Sequence, residues 1–424
     1  MKKYYPKALP QQEHDEIDMS SEKLLSEMRG LLAREEELDD DKALTIIENH
    51  IFSLKQIESK TVSEITDIIE KLYYKTRKIV GILEPLINDD MVSEIMVNGP
   101  KKIFYEKEGQ VYEYKYSFDS VEELEEVMRN IVGEVNREIN EMNPIVDARL
   151  ANGSRVNGVY KNVAINGPVL TIRKFLDKYI TMEDLISNGT ISKEGGRVLQ
   201  TLVRCGYNIF VSGGTSSGKT TLLNALASAI PKEERVIVVE DSMELKMNDI
   251  DNIVHMECRN SNYSGRGRVS MTELIRSSLR MRPNRIIVGE VRGGEVVDML
   301  QAMNTGHSGS MSTGHGNSVE GMLRRLESMF LMAAPLHIDA IRSQISEGID
   351  IMVHLEKMDD GQRKVTEVVE LCGYDDGKFI LNPLLELDSD CKFRRTGNVM
   401  KRDRKAKLRG GENADFLRQH KFIN

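Results

Sequence analysis

One eight-residue stretch restricts the folds open to this chain more than any other. Residues 213–220 read Gly-Gly-Thr-Ser-Ser-Gly-Lys-Thr and fit the pattern G-x-x-x-x-G-K-[ST] of phosphate-binding loops. The apolar run at 208–212 before it is typical of a buried strand, and residues 221–227 after it are typical of a helix. Strand, glycine-rich loop and helix in this order predict an α/β domain that binds a nucleoside triphosphate.

The loop residues have distinct expected roles in holding the nucleotide. Glycines allow backbone N–H groups to turn inward around the phosphates, and the N-terminus of the following helix adds partial positive charge. Lys219 can reach the β- and γ-phosphates, and the Thr220 hydroxyl can ligate Mg²⁺. ATP and Mg²⁺ are therefore the expected cofactors. The nucleotide contacts expected from this segment are Gly213, Gly214, Thr215, Ser216, Ser217, Gly218, Lys219, Thr220 and Thr221.

The overall composition argues against several other classes of protein. The formal net charge of −9 disfavours a general nucleic-acid coat, which needs an excess of Lys and Arg. The chain has no Trp and only 5% aromatic residues, which disfavours platforms for stacking bases. No apolar run has the length of a membrane span, and the first residues lack the pattern of a signal peptide. We therefore expect a cytoplasmic protein without a transmembrane segment.

Apolar spacing and composition divide the chain into five parts. Helical spacing dominates at the start, short strand-like runs follow, and β-branched strands then alternate with helices around the phosphate-binding loop. The segment from Arg394 to Arg409 is rich in Lys and Arg, as solvated tails are, although such a tail can also touch anionic lipid or another partner. The predicted parts are a helical N-terminal extension (1–85), an α+β domain (86–178), a linker (179–189), a P-loop ATPase domain (190–385) and a basic, disordered tail (386–424).

Acidic residues follow two of the predicted strands. Arg235–Val239 runs into Glu240 and Asp241, and Arg285–Val288 is followed closely by Glu290. Both strands are dense in β-branched residues, as in a mostly parallel sheet that is covered on both faces. Ligands of such sheets gather at the carboxyl ends of the strands. We therefore expect the phosphate-binding loop and these carboxylates to face one crevice.

Several segments outside the loop form a recognisable set. They are Ser93–Gly99, Val146–Leu150, Gly153–Asn157, Val239–Leu245, Leu279–Gly293 and Thr305–His315. Together with the phosphate-binding loop, they make the chain resemble the secretion ATPases of type II and type IV systems, and most of all the tight-adherence (Flp) pilus branch. The resemblance spans about residues 89–371 and implies a RecA-like ATPase domain preceded by a smaller α+β domain.

The resemblance implies roles for residues outside the loop. Glu290 is expected to polarise the attacking water, with Glu240 as a further catalytic carboxylate. Glu240 and Asp241 are also expected to orient water or Mg²⁺ together with the loop threonine. His315 is expected to sense the γ-phosphate, and His307 is expected to belong to the nucleotide-binding residues and to link that sensor to the sheet. Each assignment has an ordinary alternative, because a glutamate at a strand end can be merely solvated and a histidine merely structural.

Arginines are abundant where a ring-forming ATPase needs them. Arg149, Arg155 and Arg173 lie in the first predicted domain, and Arg276 precedes the strand that leads to Glu290. An arginine supplied to the transferring phosphoryl group contributes about 10³–10⁵-fold in rate. The resemblance implies a homo-hexameric ring in which such arginines reach nucleotide held between the two domains. A solvated or interface-pairing arginine is nevertheless the commoner case.

One departure from the family pattern lies in the loop itself, where Ser216 occupies a position that is usually Gly. Gly214 and Gly218 still allow tight turns, so we expect nucleotide binding to survive. The resemblance implies Mg²⁺-dependent hydrolysis of ATP at the inner face of the cytoplasmic membrane, where it powers a membrane-embedded platform protein for pilus assembly or secretion. No stable nucleic-acid partner is expected. The alternatives are a conjugation-type ATPase of type IV secretion, a nucleotide switch without turnover, and a nucleic-acid motor.

Overall fold

The computed structural model describes residues 21–35, 38–54, 57, 59–135, 137–150, 152–174, 180–247, 249–259, 261, 266–388 and 392–424. The chain divides into two compact units, Met1–Asp177 and Lys178–Asn424. Parts of the predicted extension, first domain, linker and tail lie outside the described residues, at 1–20, 151, 175–179 and 389–391. No helix within the described ranges is both long and apolar enough to cross a membrane.

The first unit contains a six-stranded antiparallel sheet. Its strands are β1 (Val92–Asn98), β2 (Ile103–Lys107), β3 (Gln110–Glu113), β4 (Ile145–Arg149), β5 (Arg155–Val159) and β6 (Val169–Arg173). Their order is β3-β2-β1-β6-β5-β4, and each pair of neighbours is antiparallel. Its helices are α1 (Ser21–Leu32), α2 (Asp40–Phe52), α3 (Val62–Arg77), α4 (Glu84–Asn88) and α5 (Val121–Gly133), with a 3₁₀ turn at Gly81–Leu83. Apolar residues at 124, 127, 128 and 131 of α5 share one core with the sheet, as their helical spacing requires.

The helices before residue 85 belong to this unit and are not a domain of their own. α1, α2 and α3 bury a common core that includes Ile47 and Leu72. Lys75 of α3 is only 4% exposed and contacts the carboxylates of Asp119 and Glu123, at 2.5 and 2.8 Å. These two acidic residues lie at the start of α5. The ion pairs therefore join the helical extension to the α+β part of the unit.

The second unit contains a mixed sheet of nine strands. Its strands are β7 (Ile209–Gly213), β8 (Val236–Glu240), β9 (Ile253–Glu257), β10 (Arg285–Val291), β11 (Met311–His315), β12 (Ile351–Lys357), β13 (Arg363–Asp375), β14 (Lys378–Leu387) and β15 (Phe393–Arg395). Their order is β15-β14-β13-β12-β7-β11-β10-β8-β9. The run from β12 to β9 is parallel, and β13, β14 and β15 extend it in antiparallel fashion. The fold class is α/β, with the parallel part of the sheet around the glycine-rich loop.

Helices cover both faces of this sheet. They are α6 (Met182–Ser187), α7 (Lys193–Arg204), α8 (Lys219–Ala227), α9 (Met271–Ser278), α10 (Val296–Asn304), α11 (Val319–Ala333), α12 (Ile338–Gly348), α13 (Arg404–Arg409) and α14 (Glu412–Gln419). Ile209 and Val211 of β7 belong to one core with α6, α7, α8, α13 and α14, whereas Phe210 belongs to a second core with α9 to α12. This burial on both sides explains why the strands are continuous apolar runs.

The parallel register aligns the ends of three strands. Gly213 at the end of β7 pairs with His315 at the end of β11. Gly314, one residue earlier, pairs with Val291 at the end of β10. The loop after β7 and the side chains at the ends of β10 and β11 therefore lie at the same edge of the sheet.

The segment predicted to be a linker, 179–189, is largely helical in its described part. α6 begins at a capping box in which Thr181 and Asp184 bond to each other's backbone N–H groups. Its residues Met182 and Leu185 are buried in the core of the second unit. The short length of the segment suggested a connector, but this apolar pair makes it an integral part of the domain.

The prediction of a disordered tail at 386–424 is wrong for the described residues. β15 adds to the edge of the sheet, and α13 and α14 pack into the core that contains Ile209 and Val211. Leu417, Phe422 and Ile423 are all buried there. Lys and Arg dominate the composition of the segment, but burial of these few apolar side chains is enough to order it.

A buried carboxylate fastens this C-terminal segment to the sheet. Glu370 of β13 is fully buried and accepts hydrogen bonds from the backbone N–H groups of Lys401 at 2.8 Å and Arg402 at 2.7 Å. It also accepts from Nδ2 of Asn382 at 2.7 Å. Hydrogen bonds to a charged group each contribute about 1.5–3 kcal/mol. The segment is therefore anchored by polar contacts as well as by its apolar residues.

Removal of the Glu370 carboxylate is expected to loosen the C-terminal segment. Glu370→Ala leaves buried donors without their acceptor, so we expect the free energy of unfolding to fall by roughly 3 kcal/mol. Urea denaturation of the full chain measures the loss, and amide hydrogen exchange at Lys401 and Arg402 locates it. Glu386→Ala is the control, because Glu386 is exposed on the neighbouring strand β14. Equal stability of the two variants would contradict the anchoring role.

Candidate nucleotide-binding site

The glycine-rich loop joins β7 to α8 in a conformation that requires glycine at two positions. β7 ends at Gly213, and α8 begins at Lys219. A Cβ atom on Gly213 would lie 2.5 Å from both the carbonyl oxygen of Leu355 and Oγ of Ser217, so a larger residue does not fit. Gly218 has a φ of +97°, in the left-handed region that favours glycine. Tight backbone turns of this kind are typical of phosphate-binding loops.

Ser216 and Ser217 are held in different ways. Ser216 has a φ of +57°, which costs a non-glycine residue roughly 1 kcal/mol. Its carbonyl oxygen accepts a hydrogen bond from Nε of Arg363 at 2.9 Å. Oγ of Ser217 is buried and has no hydrogen-bond partner within the part of the chain that is described. An unpartnered buried hydroxyl in such a loop fits a ligand that brings acceptor oxygens, as a phosphate does.

Lys219 places its ammonium group inside the curve of the loop. The residue is 7% exposed, and Nζ donates to the carbonyl oxygens of Gly213 at 3.2 Å and Gly214 at 2.7 Å. Nζ also lies 3.3 Å from Nδ1 of His315. The N-terminus of α8 adds partial positive charge at the same place. The first turn of this helix also contains Thr220 and Thr221.

Glu290 and His315 meet beside this ammonium group. Nε2 of His315 lies 2.8 Å from Oε1 of Glu290 but is not aligned for a hydrogen bond. Oε1 is buried and, among the described residues, has no hydrogen-bond partner. Lys219, His315 and Glu290 therefore form a continuous line of contacts from the loop to the end of β10. The strand ends predicted that the loop and Glu290 would lie together, whereas the role of His315 came from the resemblance.

The surroundings of His315 favour its neutral form. Burial lowers the pKa of His315 below its ordinary value, the positive charge of Lys219 lowers it further, and the charge of Glu290 opposes both. An ammonium group can only donate, so Nδ1, which faces Lys219, is the acceptor of that pair. The proton of the neutral ring is therefore on Nε2, the nitrogen that faces Glu290.

Arg292 is a residue of the site that the sequence analysis missed. Its Nε and Nη2 atoms donate to Oε2 of Glu290, at 3.0 and 2.7 Å. Nη1 lies 3.9 Å from Oδ2 of Asp241. The hydrogen bond to Glu290 raises the pKa of Arg292. Spacing was the available signal, because side chains two positions apart along an extended chain point to the same side.

Glu240 lies at the site, but its carboxylate holds protein backbone. Oε1 accepts hydrogen bonds from the N–H groups of Glu244 at 2.9 Å and Leu245 at 3.0 Å, and the residue is 4% exposed. A Cβ atom on Gly289 would lie 2.9 Å from Cγ of Glu240, which explains the glycine there. Asp241, by contrast, has a side chain that is 64% exposed. These contacts favour a role for Glu240 in shaping the loop after β8 over the predicted catalytic role.

The residues predicted to bind Mg²⁺ do not form a closed set of protein ligands. In the described ranges, no group of three or more His, Cys, Asp or Glu side chains is arranged to hold a metal ion. In P-loop enzymes Mg²⁺ takes most of its ligands from phosphate oxygens and water, and one from the loop hydroxyl. Thr220 fits this second arrangement, because it directly follows Lys219 in the first turn of α8. The surroundings of Glu240 and Asp241 do not support a role in binding Mg²⁺ to the same degree.

Two residues predicted to contact the nucleotide, His307 and Arg276, instead contact other groups of the protein. His307 precedes β11 and lies at its amino end, whereas the loop follows the carboxyl end of the parallel strand β7. Five strand residues span about 17 Å, so the structure contradicts a nucleotide contact by His307, whose Nδ1 lies 3.2 Å from the carbonyl oxygen of Ala302. Arg276 of α9 donates from Nε to Oδ1 of Asp298 at 2.7 Å and neutralises this buried carboxylate. Arg276 therefore has a structural partner.

The three arginines of the first unit lie side by side across its sheet. Arg155 of β5 pairs with Arg149 of β4 on one side and with Arg173 of β6 on the other. Residues that pair across strands share a face, and like charges in this arrangement repel one another. Glu94 of β1 pairs with Arg173 and ends the row. Arginines on three adjacent strands concentrate positive charge in this part of the sheet, where Nε of Arg149 donates to the carbonyl oxygen of Gly153 at 3.1 Å.

Comparison with known proteins agrees with the expected family. The family model described as type II/IV secretion system protein matches residues 77–370. The conjugal transfer protein TrbB of Rhizobium radiobacter is 30% identical over 308 residues, which cover 72% of this chain and 91% of that protein. The type IV secretion system protein PtlH of Bordetella pertussis is 32% identical over 319 residues, which cover 70% of this chain and 94% of that protein.

Two solved structures are also similar to this chain. The pilus retraction motor PilT with bound ADP matches with a TM-score of 0.53 at 18% identity, covering 81% of this chain and 90% of that one, which indicates a shared fold. The VirB11 ATPase of the Brucella suis type IV secretion system is 30% identical and covers 68% of this chain and 92% of that one, with a TM-score of 0.37. On the family match and the sequence identities to TrbB and PtlH, the chain belongs to the secretion ATPase family of type II and type IV systems.

Proposed function

We propose that this protein is an Mg²⁺-dependent ATPase that powers pilus assembly or secretion. The observation that carries the proposal is the line of Lys219, His315 and Glu290 at the end of the glycine-rich loop. It brings an ammonium group, an imidazole and a carboxylate into contact beside a helix N-terminus. Phosphoryl transfer to water needs positively charged groups beside the phosphates and a group that orients the water, and this set supplies both.

The chemistry divides among four residues. Lys219 binds the β- and γ-phosphates, and Thr220 supplies a hydroxyl ligand for Mg²⁺, which neutralises phosphate charge when bound. Glu290 orients and polarises the attacking water through Oε1, the oxygen that lacks a hydrogen-bond donor among the described residues. His315 lies between Lys219 and Glu290, where its Nε2 proton is available to an oxygen of the γ-phosphate or of the water.

The row of Arg149, Arg155 and Arg173 is proposed to complete the site. They occupy adjacent strands, and a cluster of guanidinium groups is a favourable environment for a phosphate group. One arginine at the transferring phosphoryl group contributes about 10³–10⁵-fold in rate. We propose a homo-hexamer in which an arginine of this row acts on bound nucleotide. Family membership supports this assembly.

Family membership supports a proposal for the biological setting. We propose that the protein acts at the inner face of the cytoplasmic membrane on a membrane-embedded platform protein, in a tight-adherence type of pilus. The second candidate is a conjugation-type ATPase of type IV secretion, which the names of the TrbB and PtlH relatives favour. Deletion of the gene, followed by separate assays for pili, secreted protein and conjugation, distinguishes the two.

Substitution of the phosphate-binding lysine and of the proposed catalytic carboxylate should separate binding from turnover. Lys219→Ala is expected to lose both, because it removes the ammonium group from the loop. Glu290→Gln is expected to bind nucleotide normally and to lose at least about 10²-fold in turnover. Phosphate release and titration with a fluorescent ADP analogue measure the two quantities. Lys378→Ala is the control, because Lys378 is exposed on β14.

The same measurements decide among the rival functions. Full activity of Glu290→Gln would refute the role of that carboxylate. Nucleotide binding without turnover by the wild type, even with membranes that contain the platform protein, would favour a nucleotide switch. Turnover stimulated by DNA, with an affinity that falls steeply with salt, would favour a nucleic-acid motor.

The neutral state of His315 should be visible in the pH dependence of turnover. Because burial and Lys219 hold the pKa of His315 below its ordinary value of 6.5, the ring takes up a proton only on the acid side of that value. The proton would remove the acceptor at Nδ1 and place a second cation beside Lys219, so we expect turnover to fall there as pH decreases. His315→Gln cannot titrate and should lack this fall. Superimposable normalised profiles of the two proteins would contradict the assignment.

A further inference from the structure

The side chain of Arg292 binds one oxygen of the Glu290 carboxylate, on which the proposed hydrolysis depends. Both its Nε and its Nη2 donate to Oε2 of Glu290, at 3.0 and 2.7 Å. Both hydrogen bonds end on the same oxygen, so they hold Oε2 in place and thereby limit rotation of the carboxylate about the last torsion of the side chain. The other oxygen, Oε1, is thereby turned to His315, whose Nε2 lies at 2.8 Å.

The backbone of Arg292 is also held by hydrogen bonds, which restrict the position from which its side chain reaches Glu290. Oε1 of Glu295 accepts hydrogen bonds from the N–H groups of Arg292 at 2.5 Å and Gly293 at 2.8 Å, in the turn that follows β10. The ion pair of Arg292 with Asp241 is long, at 3.9 Å, and joins two largely exposed side chains. Such pairs contribute little. The strong contact of the Arg292 side chain within the described structure is the one with Glu290.

We propose that Arg292 is a positioning residue for ATP hydrolysis: it presents Oε1 of Glu290 to the attacking water and makes no contact with the nucleotide. The inference rests on the proposed ATPase function. The last torsion of a glutamate side chain has broad, roughly two-fold minima, so without the hydrogen bonds from Arg292 the carboxylate of Glu290 rotates more freely. Fewer molecules then hold Oε1 beside His315, while Lys219 and Thr220 of the loop are unchanged. The expected effect is therefore on kcat and not on nucleotide affinity.

Substitutions at this position separate orientation from charge. Arg292→Ala removes both, and Arg292→Lys keeps the charge but loses the planar fork of donors. We expect kcat to fall about 10–100-fold in Arg292→Ala, with KM for ATP and Kd for a fluorescent ADP analogue within about twofold of the wild type. Arg292→Lys should recover only part of kcat. Arg342→Ala is the matched control, because Arg342 of α12 donates to Glu327 of α11 at a comparable 2.7 Å.

A double-mutant cycle tests whether Arg292 acts through Glu290. In a Glu290→Gln background, Arg292→Ala should change the residual rate by less than about twofold, because the carboxylate that it positions is already gone. Additive effects of the two substitutions would overturn the proposal, and so would a wild-type kcat in Arg292→Ala or a weakened Kd at unchanged kcat. These results leave the proposed function intact. A wild type that hydrolyses no ATP would refute both the function and the inference.

Discussion

Hydrogen bonding between three parallel strands sets the relative height of the residues at the proposed site. Gly213 is level with His315, and Gly314 is level with Val291, because β7, β11 and β10 are neighbours in fixed register. Both faces of these strands are buried, so a slip by one residue would exchange the side chains of the two cores. The apolar packing that stabilises the sheet therefore also brings together groups that lie far apart in sequence, such as Lys219 and Glu290.

The charges at this edge alternate along the line of contacts. The cation Lys219 is followed by the neutral ring of His315, the anion Glu290 and the cation Arg292. Each group has a neighbour of opposite or no charge, which lets the side chains remain close together without a ligand. The arginine row of the first unit has the opposite character, because like charges occupy adjacent strands. Charges alternate at the first site, whereas they have the same sign on adjacent strands in the row.

Local patterns in the sequence predicted the core of this site well. The glycine-rich loop, the strands around it and the position of Glu290 all follow from short-range composition, and the strands lie within a few residues of their predicted bounds. His307 was misplaced because the resemblance assigned it near His315 in the site, whereas the length of β11 separates the two residues. The partner of Arg276 is a buried aspartate on another helix, which spacing alone does not reveal.

The C-terminal segment shows a different limit of sequence reasoning. Its composition is that of a solvated tail, and its order depends on acceptors elsewhere in the chain, above all the buried carboxylate of Glu370. The contact of Arg292 with Glu290 could have been anticipated from strand periodicity, because the two residues are close in sequence. An anchor formed by residues some thirty positions apart, such as Glu370 and Arg402, could not, because it depends on how the segment returns to the sheet.

The left-handed backbone of Ser216 has a consequence for the binding and release of a nucleotide. A left-handed conformation is costly for serine, and Nε of Arg363 donates to the Ser216 carbonyl oxygen from outside the loop. A loop restrained by a contact outside itself loses less chain entropy on binding a ligand than an unrestrained loop. Such a loop would need little rearrangement of its own before product leaves, which suits the proposed cycle of repeated binding and release.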